Sequence, residues 1–260
     1  AEQVEQWRQE IGVLEKETHH KGCPTEGMSK PLLTELCRFI STTHPDWTTK
    51  DFCEKYVKPL TVGFQCSFLN LLKVVVEPTT TETVPTSNPK LDTSTTTTST
   101  VSSRATVFVS HSWGYLIRRL LSCLVALDNT DAQDFFWIDI LTVTWHKRAD
   151  KPRLDFEWWC DTFLKSIKDM RRTVLVLQPV LDPVPLRRSW CLFEIFCTHQ
   201  ADSTLEILLD EEEQAAFKTA LATGRFDFNN WVANIDLATA KARNKEDEAK
   251  IFDMVKNSPG

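Results

Sequence analysis

The period of the apolar pattern changes twice along this chain. At the start Val4, Trp7, Ile11 and Leu14 recur at helical spacing, with Glu, Gln, Arg and Lys between them, which predicts an amphipathic helix over residues 2–17. The stretch from His19 to Pro24 breaks it as a loop. Leu32, Leu33, Leu36, Phe39 and Ile40 predict a second helix over residues 31–42. Thr48 or Thr49 can cap a third, which carries Phe52 and Tyr56 and is closed by Pro59. Residues 62–76 are apolar enough for a helix followed by a strand. Residues 1–76 therefore read as a helical N-terminal region. Residues 77–105 differ: Thr, Ser and Pro dominate them, including the run Thr95 to Thr98. Such a tract has too few apolar side chains to offset its ordering entropy, and it reads as a disordered linker or long loop.

From Thr106 onward strands and helices alternate. Thr106–Val109 reads as a buried strand, Ser110–Gly114 as a turn, and Tyr115–Leu127 as a helix with Ile117, Leu120, Leu121, Leu124 and Leu127 on one stripe. Phe135–Ile140 is a second strand, followed by a polar loop with Trp145, His146, Lys147, Arg148 and Asp150. Asp155 can cap a helix carrying Phe156, Trp159, Phe163, Ile167 and Met170. Thr173–Leu177 is a third strand, Thr204–Leu209 a fourth and Trp231–Asp236 a short fifth; Glu211–Leu221 and Leu237–Val255 are helices. This alternation implies an α/β domain over residues 106–256, a doubly wound parallel five-stranded sheet covered on both faces. In such sheets ligands bind outside the C-terminal strand ends. Three segments converge there: Ser110–Gly114, Asp139 with its loop, and residues 178–190.

The stretch from Arg187 to Thr198 concentrates the candidate chemistry. Read as a helix at roughly 100° per residue, it places Leu192, Ile195, Phe196 and His199 on a sheet-facing stripe. Trp190 and Glu194, with Thr198 beside them, project from the opposite side. Ser189 suits an N-cap or first-turn position. A carboxylate one turn from an indole, next to an arginine pair, is a candidate ligand-facing surface.

Composition narrows the functions open to the chain. It carries 42% hydrophobic and 25% charged residues, the balance of an ordinary globular protein. A net charge of −6 argues against general nucleic-acid binding. Membrane insertion is not expected, since no apolar run approaches the roughly 20 residues a spanning helix needs. The eight cysteines have no C-x-x-C spacing, so no metal site is expected, and their apolar settings suit free thiols in a reducing, cytoplasmic compartment. With 7 glycines there is no G-x-G-x-x-G and no Walker loop, so no bound cofactor is expected.

Three motifs carry a family resemblance. Val107-Phe108-Val109-Ser110-His111-Ser112 resembles the opening strand and turn of TIR domains, the Toll/interleukin-1 receptor and plant resistance modules. Trp137-Ile138-Asp139 resembles their second strand and its acidic end. Ser189-Trp190-Cys191-Leu192-Phe193-Glu194-Ile195 is similar to the S-x-W-C-L-x-E-L helix of the plant members. The resemblance covers about residues 105–256 and implies a flavodoxin-like sheet. Some TIR domains cleave the nicotinamide–ribose bond of NAD+, and others only assemble signalling complexes. For the first case the resemblance implies an NAD+ hydrolase of immune or stress signalling with Glu194 catalytic and NAD+ as substrate. Ser110, His111, Ser112, Trp113, Asp139, Trp145, Arg187 and Trp190 would line the pocket, with Arg187, Arg188 or Arg148 meeting phosphate. Self-association, or pairing with other TIR-like domains, would control activity. In the second case the chain is a non-enzymatic adaptor. A third possibility is a nucleotide-binding relative that acts on another N-glycoside. The loop after the second strand departs from the family, being rich in Trp, His and Arg rather than Gly and Pro.

Overall fold

The computed structural model describes residues 2–20, 25–76, 101–127, 134–146, 156–233 and 235–258. The chain runs through α1 (Glu2–His20), β1 (Glu26–Ser29), α2 (Lys30–Thr43), α3 (Thr49–Phe52), a π-helical turn (Cys53–Val57), α4 (Lys58–Thr61) and α5 (Phe68–Val76). It continues through β2 (Ser102–Arg104), β3 (Val107–Ser110), α6 (Ile117–Ala126), β4 (Phe135–Trp137), α7 (Asp139–Thr142), α8 (Phe156–Met170) and β5 (Arg172–Val176). A 3-10 turn (Val184–Arg187), α9 (Ser189–Gln200), β6 (Thr204–Leu208), α10 (Glu211–Ala222), α11 (Phe228–Ala233) and α12 (Lys245–Lys256) complete it.

The protein is a mixed α/β fold around one six-stranded sheet of order β2-β1-β4-β3-β5-β6. The four strands β4, β3, β5 and β6 run parallel, and β1 and β2 extend the β4 edge antiparallel. The sheet is covered on both faces. Val107, Val109, Phe136, Val174 and Val176 pack with α2 and α6, whereas Phe108 and Trp137 pack with α8 and α9. Strands buried on both faces are apolar throughout, which is why Val107, Phe108 and Val109 read as a continuous run rather than an alternating one. From β3 the chain crosses to β4 on one side, and from β5 it crosses to β6 on the other. The switch in direction falls between the neighbouring strands β3 and β5, where open α/β sheets form a crevice at their C-terminal ends.

Three expectations are corrected. The sheet has four parallel strands and two antiparallel ones instead of five parallel strands. The segment expected as a fifth strand begins as α11, and β6 is the sheet edge. Asn229-Asn230, beneath a Trp-Val pair, leaves no period-two run, so local helix wins over pairing. Residues 102–104, expected within the linker, pair with β1, and Val101 and Ala105 on either side are buried; residues 77–100 of that expected linker lie outside the described residues. The second expected strand ends at Trp137, because Asp139 opens the short α7.

The N-terminal region also differs from a purely helical unit. β1 is built into the sheet, with Met28 opposite Phe136 and Ser29 opposite Phe135. Its neighbour α2 begins with Pro31 in the first turn, buries Leu33, Leu36 and Ile40, and packs along α6. Thr48 caps α3 as a capping box: its hydroxyl accepts from the Asp51 backbone N–H at 3.1 Å, and its own N–H donates to the Asp51 carboxylate at 3.2 Å. That carboxyl is held near pKa 2, first by Lys55 and then by Thr48.

Gly27 is the position where this arrangement admits no side chain. A Cβ there would sit 2.7 Å from the Phe135 carbonyl carbon and 2.8 Å from the Phe136 nitrogen. Gly27→Ala is expected to destabilise the whole sheet by about 2 kcal/mol or more, since the β4 backbone at Phe135 and Phe136 would have to move away. Urea denaturation followed by tryptophan fluorescence reads this. A single transition at a lower midpoint is expected, and an unchanged midpoint would mean that β1 does not pair with β4.

Candidate functional site at the carboxyl ends of β3 and β5

The site begins with α9 lying on the sheet. Ser110 and Thr173 point from β3 and β5 to the same face, and α9 sets a polar side chain over each. The Ser110 hydroxyl donates to Glu194 Oε2. Thr198 donates its hydroxyl to the Glu194 carbonyl at 2.7 Å and lies 2.9 Å from the Thr173 hydroxyl. The Cys191 thiol donates to the His111 carbonyl at 3.5 Å. The sheet-facing side of α9 is therefore Cys191, Glu194, Cys197 and Thr198. The expected stripe is corrected in part: Leu192 and Ile195 do pack on the β5 side, against Leu175 and Leu177, whereas Phe196 packs against Phe193 and His199 is exposed. The helix is apolar on nearly every side, so periodicity alone did not distinguish its faces.

Glu194 is only 9% exposed. Burial pushes its carboxyl up to about 8; the nearby Asp139 adds to the rise, while the Ser110 hydroxyl and Arg188 oppose it. Burial also pushes the Cys191 thiol well above its usual range, which makes it a packed thiol rather than a nucleophile.

A second group stands beside it. His111 follows Ser110 and is buried, its side chain 2% exposed, and burial lowers its pKa. Its Nε2 lies 3.8 Å from Asp139 Oδ1. Asp139 is clamped: Oδ1 accepts from the Ile140 N–H at 2.7 Å and Oδ2 from Trp113 Nε1 at 2.9 Å. Trp113 meets Trp145 edge to face, with centroids 5.0 Å apart, and Trp145 stacks on Trp159 at 5.8 Å. Ser112 turns the chain here by accepting from the Gly114 N–H at 3.3 Å. His111 Nε2, Trp145 Nε1 and Ser189 Oγ are buried without a hydrogen-bond partner among the described residues.

The N-terminal region holds both loops in place. The first N–H groups of α3, those of Thr49 and Lys50, donate to the carbonyls of Tyr115 and Trp113 at 2.7 and 2.9 Å. Thr61 lies 2.6 Å from His146 Nε2, next to Trp145. On the opposite side Tyr115 accepts at its hydroxyl from the Gln178 N–H at 2.6 Å, which joins the loops after β3 and β5.

Of the expected site residues, the structure gathers Ser110, His111, Ser112, Trp113, Asp139, Trp145 and Glu194 at one sheet edge. It separates two others. Arg187 is exposed and paired with Asp182 at 3.0 Å. Trp190 packs on Phe156, Phe163 and Phe193 and donates to Asp247 at 3.3 Å. Arg188, next in the chain, is the arginine whose charge reaches His111, Cys191 and Glu194. Arg148 lies outside the described residues. Thr173 and Thr198 were not singled out in the sequence, since a threonine in an apolar strand or helix carries no signal of its own.

Fold and site together define an α/β protein, its largely parallel sheet carrying a buried carboxylate and a buried imidazole at the switch point. No family model, curated protein or solved structure matches the chain.

The raised Glu194 pKa makes stability depend on pH. Between about 4.5 and about 8 the folded chain holds a proton on this carboxyl that the unfolded chain has released. Stability from this group therefore falls as pH rises through that window, by at most about 1.4 kcal/mol per pH unit. Glu194→Gln is expected to remove the slope and to exceed the wild type in melting temperature near pH 8. Thermal denaturation of both proteins across the window checks it; parallel curves would show that Glu194 is ionised when folded.

Proposed function

We propose that the chain is a TIR-like domain that hydrolyses NAD+ at the nicotinamide–ribose bond, with Glu194 as the essential carboxylate. The observation that carries this reading is the placement of Glu194. It sits on the helix that follows β5, beneath the C-terminal end of β3, hydrogen-bonded by Ser110 and shielded from water. Cleavage of an N-glycoside passes through an oxocarbenium-like state, and a carboxylate in a dry site stabilises that charge more than it would in water. Burial by itself favours the neutral acid. A cationic pyridinium ring entering beside it favours the carboxylate, so the charge appears with the substrate that needs it.

The surrounding groups suit the same substrate. Trp113 and Trp145 present half-buried aromatic faces next to Asp139, a setting for a flat cationic ring. Arg188, whose charge reaches His111 and Glu194, would meet the phosphate charge. Trp190, expected to line the pocket, serves instead as a packing residue that seats α9 on α8 and α12. The domain is read as acting in signalling and as working through assembly with other copies.

The test is NAD+ consumption by the purified chain at high protein concentration, beside Glu194→Gln. Wild-type turnover that falls at least a hundredfold in the variant, with folding intact by circular dichroism, is the expected result. No wild-type turnover in concentrated protein would favour a non-enzymatic adaptor. Equal turnover by both would place the chemistry elsewhere.

A further inference from the structure

The His111–Asp139 pair is built in a way that packing does not require. Among the described residues the Nε2 of the buried imidazole has no hydrogen-bond partner. With the hydrogen assigned to Nδ1, toward the Val109 backbone, the Nε2 of the neutral ring is an acceptor. It faces another acceptor, Asp139 Oδ1, across 3.8 Å. That separation exceeds a hydrogen bond. Two acceptors that face each other at this distance form a slot for a donor. A hydroxyl or water that bonds both would sit about 2.8 Å from each, once a small shift of the side chains opens the buried Nε2 to it. Until something does, the buried Nε2 goes unsatisfied, a feature native structures seldom retain without a role. The carboxylate cannot turn away to relieve this, because the Trp113 indole and the Ile140 N–H fix both of its oxygens.

We propose that His111, held by Asp139, is the general base that takes a proton from the water that attacks the sugar carbon in the Glu194 reaction. This rests on the hydrolase reading given above. The bond between the sugar C1′ and the ring nitrogen breaks, and its electron pair neutralises the pyridinium. Water then bonds to C1′ through oxygen, and one of its protons moves to Nε2. The resulting imidazolium sits beside the Asp139 carboxylate and closes on it as an ion pair. His111 returns the proton to solvent after the product leaves.

The test separates attack by water from bond cleavage. A pyridine nucleophile has no proton to lose, so exchange of the nicotinamide for added pyridine needs Glu194 but no base. In His111→Gln, hydrolysis of NAD+ is expected to fall about a hundredfold or more in kcat with KM little changed. Pyridine exchange should fall less than tenfold in the same preparations. An equal fall of both activities would mean that the pair is structural and would overturn the proposal. If the wild type shows neither activity, the hydrolase reading fails, and the pair is judged on the imidazole alone. Nitrogen NMR should then find Nε2 unprotonated at neutral pH, with a His111 pKa that drops further in Asp139→Asn. A proton on Nε2 would overturn the assignment.

Discussion

A carboxylate buried between a helix and a sheet is the constraint around which the rest of this structure is arranged. Burying a polar group without partners costs several kcal/mol, and a charged one more. The chain answers this at Glu194 with a serine at the end of β3 and with a carboxyl that keeps its proton at neutral pH. The helix could have laid an aliphatic side chain over β3, as α6 does on the opposite face with Leu120, Leu121 and Leu124. It places an acid there instead, and the neighbouring polar contacts of Thr198 with Thr173 and Cys191 with His111 fix its register on the sheet. Buried polar contacts of this kind specify one seating of a helix where apolar packing would accept several.

The N-terminal region gives the site its rigidity. Its strand β1 continues the sheet beyond β4, and its helix α2 covers the face on which α6 lies. The donors at the start of α3 hold the Trp113–Tyr115 backbone, and Thr61 meets His146. Loops that carry reactive groups are usually positioned by a scaffold beneath them. Here part of that scaffold is supplied from a segment far away in sequence. On the far side Arg119, at the start of α6, is ion-paired with Asp210, Glu212 and Glu213 around the start of α10, and Glu213 accepts from the Val180 N–H at 2.6 Å. The loop after β5 is thereby tied to both β3 and β6.

Glu194 and Asp139 are two carboxyl groups in contrasting surroundings. Glu194 is nearly enclosed and has one hydroxyl donor; Asp139 is 19% exposed at its side chain and accepts two N–H bonds. Environments that differ in this way are how one fold assigns different tasks to identical groups. The proposed reading follows that division: one carboxyl meets the developing positive charge, and the other orients an imidazole.

The sequence by itself determined the alternation of strand and helix from Thr106 to Leu221, the stripe of α6, the cap at Thr48 and the end of the sheet where Glu194, His111 and Asp139 lie. These are local matters, since a period of two or of 3.6 and a capping hydroxyl are written in neighbouring residues. Glu194, His111 and Asp139 were legible for the same reason, because each directly follows a strand or lies on the helix after one. Only the tertiary structure decided which side of α9 meets the sheet, because a helix apolar all round has no marked face. It also decided that Glu26–Ser29 and Ser102–Arg104 pair, since a strand of three or four residues has no period of its own and exists only through its neighbours. It separated Trp190 from the site and put Arg188 in place of Arg187 for the same reason: adjacent residues on a helix entry point in different directions, and only the packing of α8, α12 and the loop at Lys241 selects between them.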